Sequence, residues 1–208
     1  MSMLTTEKAA AWLDDYARVI HENAAWLTDL DRQIGDADHG SNLERGMTAV
    51  EAIPREEYPD AASLLKKAGM TLVSTVGGAA GPLWGTFFLR FAGALDEPGD
   101  DATVVAAAMR AGLVGIVQRG KATEGDKTVV DALGPAVRVA EQKASQGASL
   151  ADTLTAAAEA AAVGRDATIP MVARKGRASY LGDRSAGVQD PGATSITMLV
   201  ESAARTLA

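Results

Sequence analysis

The chain contains no cysteine in its 208 residues. That excludes a disulfide framework and any thiolate-held metal. Aromatic residues make up only 4%, so close packing must rest largely on small and aliphatic side chains. Positive charge is in deficit: the formal net charge is −7 and the pI is near 4.9, against a nucleic-acid binder, which needs a basic face. No run of 18 or more apolar residues occurs, so no membrane span is expected. The opening "MSMLTTEKAAAWLDD" turns acidic at once and has no apolar h-region, which argues against a secretory signal and makes a cytoplasmic location the default. No strand–helix alternation appears, so a Rossmann or P-loop sheet is not expected. No Ser/His/Asp or Cys/His constellation for nucleophilic catalysis is visible either.

Alanine and helical periodicity are abundant. There are 42 alanines, with 47% hydrophobic and 23% charged residues, a globular balance in one domain spanning 1–208. Alanine is the best helix former, and its small side chain lets helices approach closely. From Thr6, a candidate N-cap, Ala9, Trp12, Leu13, Tyr16, Val19 and Ile20 recur at spacings of three and four. Further helices are expected over about 41–53, from Asp60 to the Gly77-Gly78 pair, from Gly81 with Pro82 near N1, from Asp101 to about Arg119, from Lys127 with a kink at Pro135, over "SLADTLTAAAEAAAVGRDA", and over "ATSITMLVESAARTL". Their connections are short, which favours antiparallel neighbours and an all-α fold. The exception is Lys175 to Gly192, a long glycine-rich segment expected to be irregular; such loops in compact domains are often functional.

"LDRQIGDADHGSNLERG", Leu30 to Gly46, crowds Asp31, Asp36 and Asp38 beside His39. In one continuous helix Asp31 and Asp38 would lie about 10 Å apart along the axis, at ~1.5 Å per residue, and Asp36 would point away. Gly35 and Gly40 permit turns that can bring the three carboxylates together. An EF-hand does not fit: counting from Asp36, position six is Ser41 rather than glycine and position twelve is Met47 rather than glutamate. Hard oxygen ligands without a His/Cys framework suit Mg²⁺ or Ca²⁺, and Mg²⁺ completes its shell with water and phosphate oxygens. Any one of these aspartates taken alone reads as a helix cap; the three together read as a metal site. His21, on a helix, reads as a surface or packing residue.

Two other stretches invite a phosphate reading. "GIVQRGKAT", Gly115 to Thr123, nearly matches the P-loop pattern, but the hydroxyl position is Ala122 and a helix precedes it. "STVGGAAGPLWG" sets glycines 77, 78 and 81 at a helix start, where exposed N–H groups suit phosphate. A tight turn between two helices explains this stretch as well.

Taken together, "LDRQIGDADHGSN", "GMTLVSTVGGAAGPLWGTFF", "RGKATEGDKT" and "KGRASYLGDRSAGVQDPGATS" closely resemble the nucleotide-binding L subunits of bacterial dihydroxyacetone kinases, in the same order and over essentially the full chain. The resemblance implies an up-and-down antiparallel barrel of about eight helices with the nucleotide, ADP or ATP, at one end. It implies that Asp31, Asp36 and Asp38 hold two Mg²⁺ ions bridging to the phosphates. His39, Gly40, Ser41 and Asn42 would lie along the phosphates, with Ala79 and Ala80 on a second phosphate-proximal turn. Gly120 and Val129 would lie near the adenosine, and Arg177 with Asp190, Pro191 and Gly192 would close the site. Arg177 and His39 are the candidate catalytic residues. Many relatives carry serine where this chain has Ala80, so one hydroxyl contact to phosphate is absent.

The family transfers a phosphoryl group to dihydroxyacetone held on a separate subunit. In stand-alone L subunits, bound ADP is rephosphorylated in place by a phosphocarrier protein of the phosphotransferase system. The end of this chain at residue 208 favours that arrangement over fused, ATP-exchanging relatives. The implied partners are therefore the substrate-binding subunit and the phosphocarrier; a homodimer stays open. Competing readings are an ATP-dependent glycerone kinase, a fatty-acid-kinase-like nucleotide domain, and a non-catalytic nucleotide or divalent-ion sensor.

Overall fold

In the computed structural model, residues 4–208 are described; the first three residues of the stretch read for a leader lie outside them. Eight α-helices run in order: α1 Thr6–Ile34, α2 His39–Glu51, α3 Ala61–Thr75, α4 Ala80–Gly93, α5 Asp101–Gly120, α6 Val129–Ser145, α7 Leu150–Ala167 and α8 Pro191–Thr206. Two 3-10 segments, Arg55–Glu57 and Arg177–Ser185, interrupt the connections. Each helix packs on its sequence neighbours, and α8 returns against α1, closing the ring. Short links make α1 to α7 antiparallel in turn, and the long 168–190 connection returns so that α2, α4, α6 and α8 all begin at the same end.

Side-chain oxygens mark most of the helix starts. Thr5, Asp60, Asp100, Ser149 and Asp190 each accept a backbone N–H from the first turn of the helix that follows. Thr128 and Asp131 form a reciprocal capping box at α6. Such caps are worth about 1 kcal/mol each. The expected cap Thr6 is the first helical residue, and Thr5 caps instead. The sixth helix starts at Val129 rather than Lys127, because Thr128 takes the cap. Pro82 is the third residue of α4, which begins at Ala80.

The few aromatics are concentrated. Trp12, Tyr16, Trp84, Phe87, Phe88 and Phe91 are fully buried and come only from α1 and α4. Trp12 meets Phe88 and Phe91 at centroid distances of 5.4 and 5.1 Å. Their polar atoms are satisfied: Trp84 Nε1 donates to Tyr16 Oη at 2.8 Å, and Trp12 Nε1 to the Leu199 carbonyl at 3.0 Å. This cluster sets α4 against α1 and α8, and so fixes the loops at the end where α1 stops and α4 starts. Among the described residues α5 alone is long and apolar enough to cross a bilayer; here it packs between α4 and α6.

Candidate functional site

A cavity of about 440 Å³ opens at the end where the even-numbered helices begin. It is lined by the first residues of all four: His39 of α2, Ala80 of α4, Val129 of α6 and Pro191 of α8. Each helix N-terminus presents unpaired N–H groups and the positive end of its dipole. Caps at α6 and α8 use some of these donors, but α2 and α4 have no side-chain cap bond. Asp31 takes the His39 N–H at α2, and the donors left at these two starts are suited to an anion such as phosphate.

The aspartates arrive from the α1–α2 junction. Gly35 ends α1, and a Cβ there would stand 2.0 Å from Asp31 Oδ1, so only glycine lets this carboxylate fold over the turn. Asp31 is buried, and its Oδ2 accepts the backbone N–H groups of Asp38 at 2.8 Å and His39 at 3.1 Å. Ala37 sits between the other two aspartates at φ 62°, a left-handed conformation that costs a non-glycine residue energy and tends to mark functional turns. Asp38 occupies the cap position of α2 without making a cap bond, so the simple capping role does not account for its carboxylate. One oxygen from each of Asp31, Asp36 and Asp38 lies within 4.8 Å of the others. This all-oxygen group beside a cavity fits a hard divalent cation. Arg177 Nε pairs with Asp36 Oδ2 at 2.7 Å, reaching across from the Arg177–Ser185 segment.

His39 is half-buried and packs its ring edge toward Trp84, with centroids 5.8 Å apart. Its Nε2 lies 2.8 Å from Ser195 Oγ. Burial pushes its pKa down to about 4, against the pull of Asp31, Asp38 and a hydrogen bond to Pro191. A neutral ring tying α2 to α8 is a fixture of the wall. Its backbone N–H, already given to Asp31, helps hold the aspartate turn.

The cavity brings together Asp31, Asp36, Asp38, His39, Asn42, Ala79, Ala80, Val129, Arg177, Asp190, Pro191 and Gly192. Three expected positions do not line it. A Cβ at Gly40 would fall 2.0 Å from the Ala24 carbonyl, so this glycine serves the close approach of α2 to α1. Ser41 is exposed and donates to the Asp38 carbonyl at 3.0 Å. A Cβ at Gly120 would lie 3.4 Å from Leu83 Cδ2, so Gly120 stands behind Leu83, which itself forms the wall. His21 sits on the surface between Glu44 and Glu51. "GIVQRGKAT" ends α5 with Lys121 in the left-handed region; a helix C-terminus offers carbonyls, not phosphate donors.

Sequence reasoning passed over Lys127, Thr128, Trp84 and Leu83, all in the lining. Lys127 is buried, and its burial lowers the ammonium pKa against the pull of Asp190. The Asp190 carboxyl is raised to about 7 by burial, with Asp131 adding to the rise, while its bond from the Ala193 N–H and the charge of Lys127 oppose it. Thr128 could have been found from the Thr128–Asp131 capping spacing.

Ala80 lines the cavity at the first turn of the uncapped α4. Ala80→Ser is expected to add one hydroxyl contact to a bound phosphate and tighten nucleotide retention by about 0.5–1.5 kcal/mol. Isothermal titration of the two proteins with Mg–ADP reads this; equal affinities would show that the side chain does not reach the ligand.

The DAK2 domain model matches residues 33–205. The chain is 44% identical over 201 residues to the ADP-binding subunit of the PEP-dependent dihydroxyacetone kinase of Escherichia coli strain K12, covering 95% of each. It is 38% identical over 200 residues to the ADP-binding subunit of the PTS-dependent dihydroxyacetone kinase of Lactococcus lactis, covering 96% of each. Among solved structures it matches the dihydroxyacetone kinase of C. freundii in its native form, with a TM-score of 0.71 and 25% identity. It also matches that kinase in complex with AMP-PNP and Mg²⁺, with a TM-score of 0.70 and 26% identity. The match covers 95% of this chain, which spans about a third of those kinase chains. With the aspartate turn, the uncapped helix starts and the arginine on one cavity, the chain belongs to the DAK2-domain family of dihydroxyacetone kinase ADP-binding subunits.

Proposed function

We propose that this chain is the nucleotide-holding subunit of a dihydroxyacetone kinase. It binds ADP and ATP with two Mg²⁺ ions on Asp31, Asp36 and Asp38, and its γ-phosphoryl group passes to dihydroxyacetone held on a separate subunit. A phosphocarrier of the phosphotransferase system then regenerates ATP from the retained ADP. The observation that carries this is the convergence of three carboxylates and four helix N-termini on one cavity.

Phosphoryl transfer needs little covalent help from protein; it needs alignment and charge neutralisation. Bound Mg²⁺ would supply neutralisation of the phosphate oxygens. The chain's own residues do the rest. Asp31 holds the aspartate turn through two backbone N–H groups. Apart from the His39 N–H, which is given to Asp31, the first-turn N–H groups of α2 and α4 take no side-chain cap and can meet phosphate oxygens. Arg177 stands beside Asp36, where it can turn its guanidinium to the transferring group. Leu83, Trp84 and Val129 give the cavity an apolar side for the nucleoside. The cavity is open, and none of the groups lining it forms an obvious pocket for a small ketone. The acceptor is therefore brought by the partner.

Two measurements test the assignment. Purified protein, denatured and analysed for released small molecules, is expected to yield ADP. Given ATP and dihydroxyacetone, the chain alone is expected to make almost no dihydroxyacetone phosphate, with turnover appearing only when a substrate-binding subunit is added. Robust turnover by the isolated chain would overturn the division of labour. Dependence of turnover on the phosphocarrier, at saturating free ATP, separates retained ADP from a freely exchanging nucleotide.

A further inference from the structure

Lys127 is the only buried cation among the described residues, at 1% exposure. It sits at φ 62°, one of three non-glycine residues in the left-handed region. Both features are unfavourable by themselves: a buried ammonium loses its hydration, and a left-handed lysine is strained. An apolar residue would fill the same space without the first of these costs. Something specific to an ammonium is needed at this point.

The ammonium is bound to the strap that runs from α7 to α8. Its Nζ donates to the Met171 carbonyl at 3.1 Å and to the Ser185 carbonyl at 2.5 Å. Those two carbonyls lie on the outgoing and returning arms of the strap. The arms are also joined to each other: Ala173 N–H donates to Ser185 Oγ at 2.8 Å, and Gly187 N–H to the Ile169 carbonyl at 2.7 Å. One further bond ties the strap to the turn beside Lys127, from the Arg174 N–H to the Asp126 carbonyl at 3.0 Å. Arg177 lies in the tip between the pinned arms, three residues beyond Arg174, and reaches Asp36 from there. Tyr180 in the tip is 85% exposed, while Ala178 beside Arg177 packs against Ile34 and Ala173. The return arm runs into Asp190, the cap of α8, which is buried and within the field of Lys127. A single side chain thus clamps both arms of the strap that presents the guanidinium to the aspartate turn.

We propose that Lys127 is a positioning residue for phosphoryl transfer, fixing both arms of the strap so that Arg177 is presented to Asp36 and to the nucleotide phosphates. This rests on the kinase reading above. Its content is that Lys127 acts through Arg177 and not merely on the stability of the fold.

A double-mutant cycle on the full chain, assayed with its substrate-binding subunit and phosphoryl donor, tests the point. Lys127→Met keeps the length of the stem and removes the donors. It is expected to lower kcat at least tenfold while the KM for the ketone stays within twofold, because the acceptor is held elsewhere. Arg177→Ala lowers kcat on its own, and the double variant is expected to match Arg177→Ala alone, since a misplaced strap has no guanidinium left to misplace. Hydrogen exchange over residues 168–190 is expected to speed up in Lys127→Met, a readout that needs no activity. Should Lys127→Met fail to fold, Lys127→Gln, which keeps an amide donor for one carbonyl, goes through the same cycle. Additive losses in the double variant, a kcat within twofold of the unmodified chain, or unchanged exchange over 168–190 would overturn the proposal. An unmodified pair that shows no turnover would instead count against the kinase reading, and exchange alone would then decide whether Lys127 pins the strap.

Discussion

Asp38→Asn is expected to abolish stable Mg–ADP binding while leaving the helical fold intact, and Asp36→Asn to do the same. The two carboxylates share a cluster with Asp31 in which one oxygen of each lies within 4.8 Å of the others. Like charges so close repel unless a cation is present. Asp38 makes no cap bond to α2, and Asp36 is exposed and paired only with Arg177. Neutral asparagine at either position therefore removes a ligand without removing a support. The expected loss in Mg–ADP affinity is roughly 100-fold or more, about 3 kcal/mol. Asp31→Asn should behave differently. Its carboxylate accepts two backbone N–H groups in a buried setting, and an amide cannot accept both on the same oxygen as well while keeping its own NH₂ satisfied. That variant is expected to lose thermal stability as well as ligand. In the unmodified chain, Mg–ADP should raise the unfolding midpoint, since a ligand bound by the native state alone stabilises it, adding about 2.7 kcal/mol of stability at 100 times Kd. Scanning calorimetry with Mg–ADP and with chelator, alongside titration of the three variants, separates the cases. Unchanged ADP affinity in both Asp36→Asn and Asp38→Asn, with an unchanged chelator midpoint, would sink the metal site.

The eight helices were legible because their apolar residues recur at three and four, and because Asp60 marks a start as a cap. Boundaries were less so. Two consecutive threonines, Thr5 and Thr6, are chemically equal as caps, and only the backbone angle chooses Thr5. The aspartate turn was legible as a cluster, since glycines flank it, but its internal division of labour was not. Asp31 as the buried acceptor of two N–H groups depends on Gly35 letting the chain fold over it. Gly40 had two meanings in one dimension, phosphate approach or helix approach, and the carbonyl of Ala24 decides for the second. The segment from Lys175 to Gly192 reads as irregular because its glycines break every period. Instead Arg177–Ser185 coils into 3-10 turns, broken at Gly182, and Asp190 and Pro191 already open α8. Lys127 was invisible for a physical reason: a lysine in a polar turn is normally solvated, and its inward rotation follows from a left-handed backbone angle that no spacing announces.

Arg177→Ala is expected to weaken Mg–ADP binding by about 1.5–3 kcal/mol, the scale of a hydrogen bond to a charged group, and to lower phosphoryl transfer by roughly 100-fold, the scale of losing one donor aimed at developing charge. The guanidinium is exposed and paired with Asp36, and an exposed pair of this kind contributes little to folding, about 0–1 kcal/mol. Its removal should therefore leave the unfolding midpoint of the ligand-free protein nearly unchanged, so that any loss of binding or rate is not a loss of fold. The same pair makes a second outcome specific. Arg177 and a divalent cation compete for the Asp36 carboxylate, so Arg177→Ala should bind Mg²⁺ without nucleotide at least as tightly as the unmodified chain, even while Mg–ADP binds more weakly. A residue that merely stiffened the loop would shift both in the same direction. The resemblance implies that the glycine-rich segment 175–192 closes over the site, which would make it a lid ordered by nucleotide. The bonds of Ala173, Gly187 and Lys127 pin both arms, which confines the expected gain in hydrogen-exchange protection on Mg–ADP binding to the tip, about residues 175–184. Titration with Mg²⁺ alone and with Mg–ADP, single-turnover transfer to the ketone, and exchange with and without nucleotide give the four readings. Normal affinity and rate in Arg177→Ala, with protection of the tip unchanged by nucleotide, would remove Arg177 from the site's chemistry and leave it a solvated surface charge.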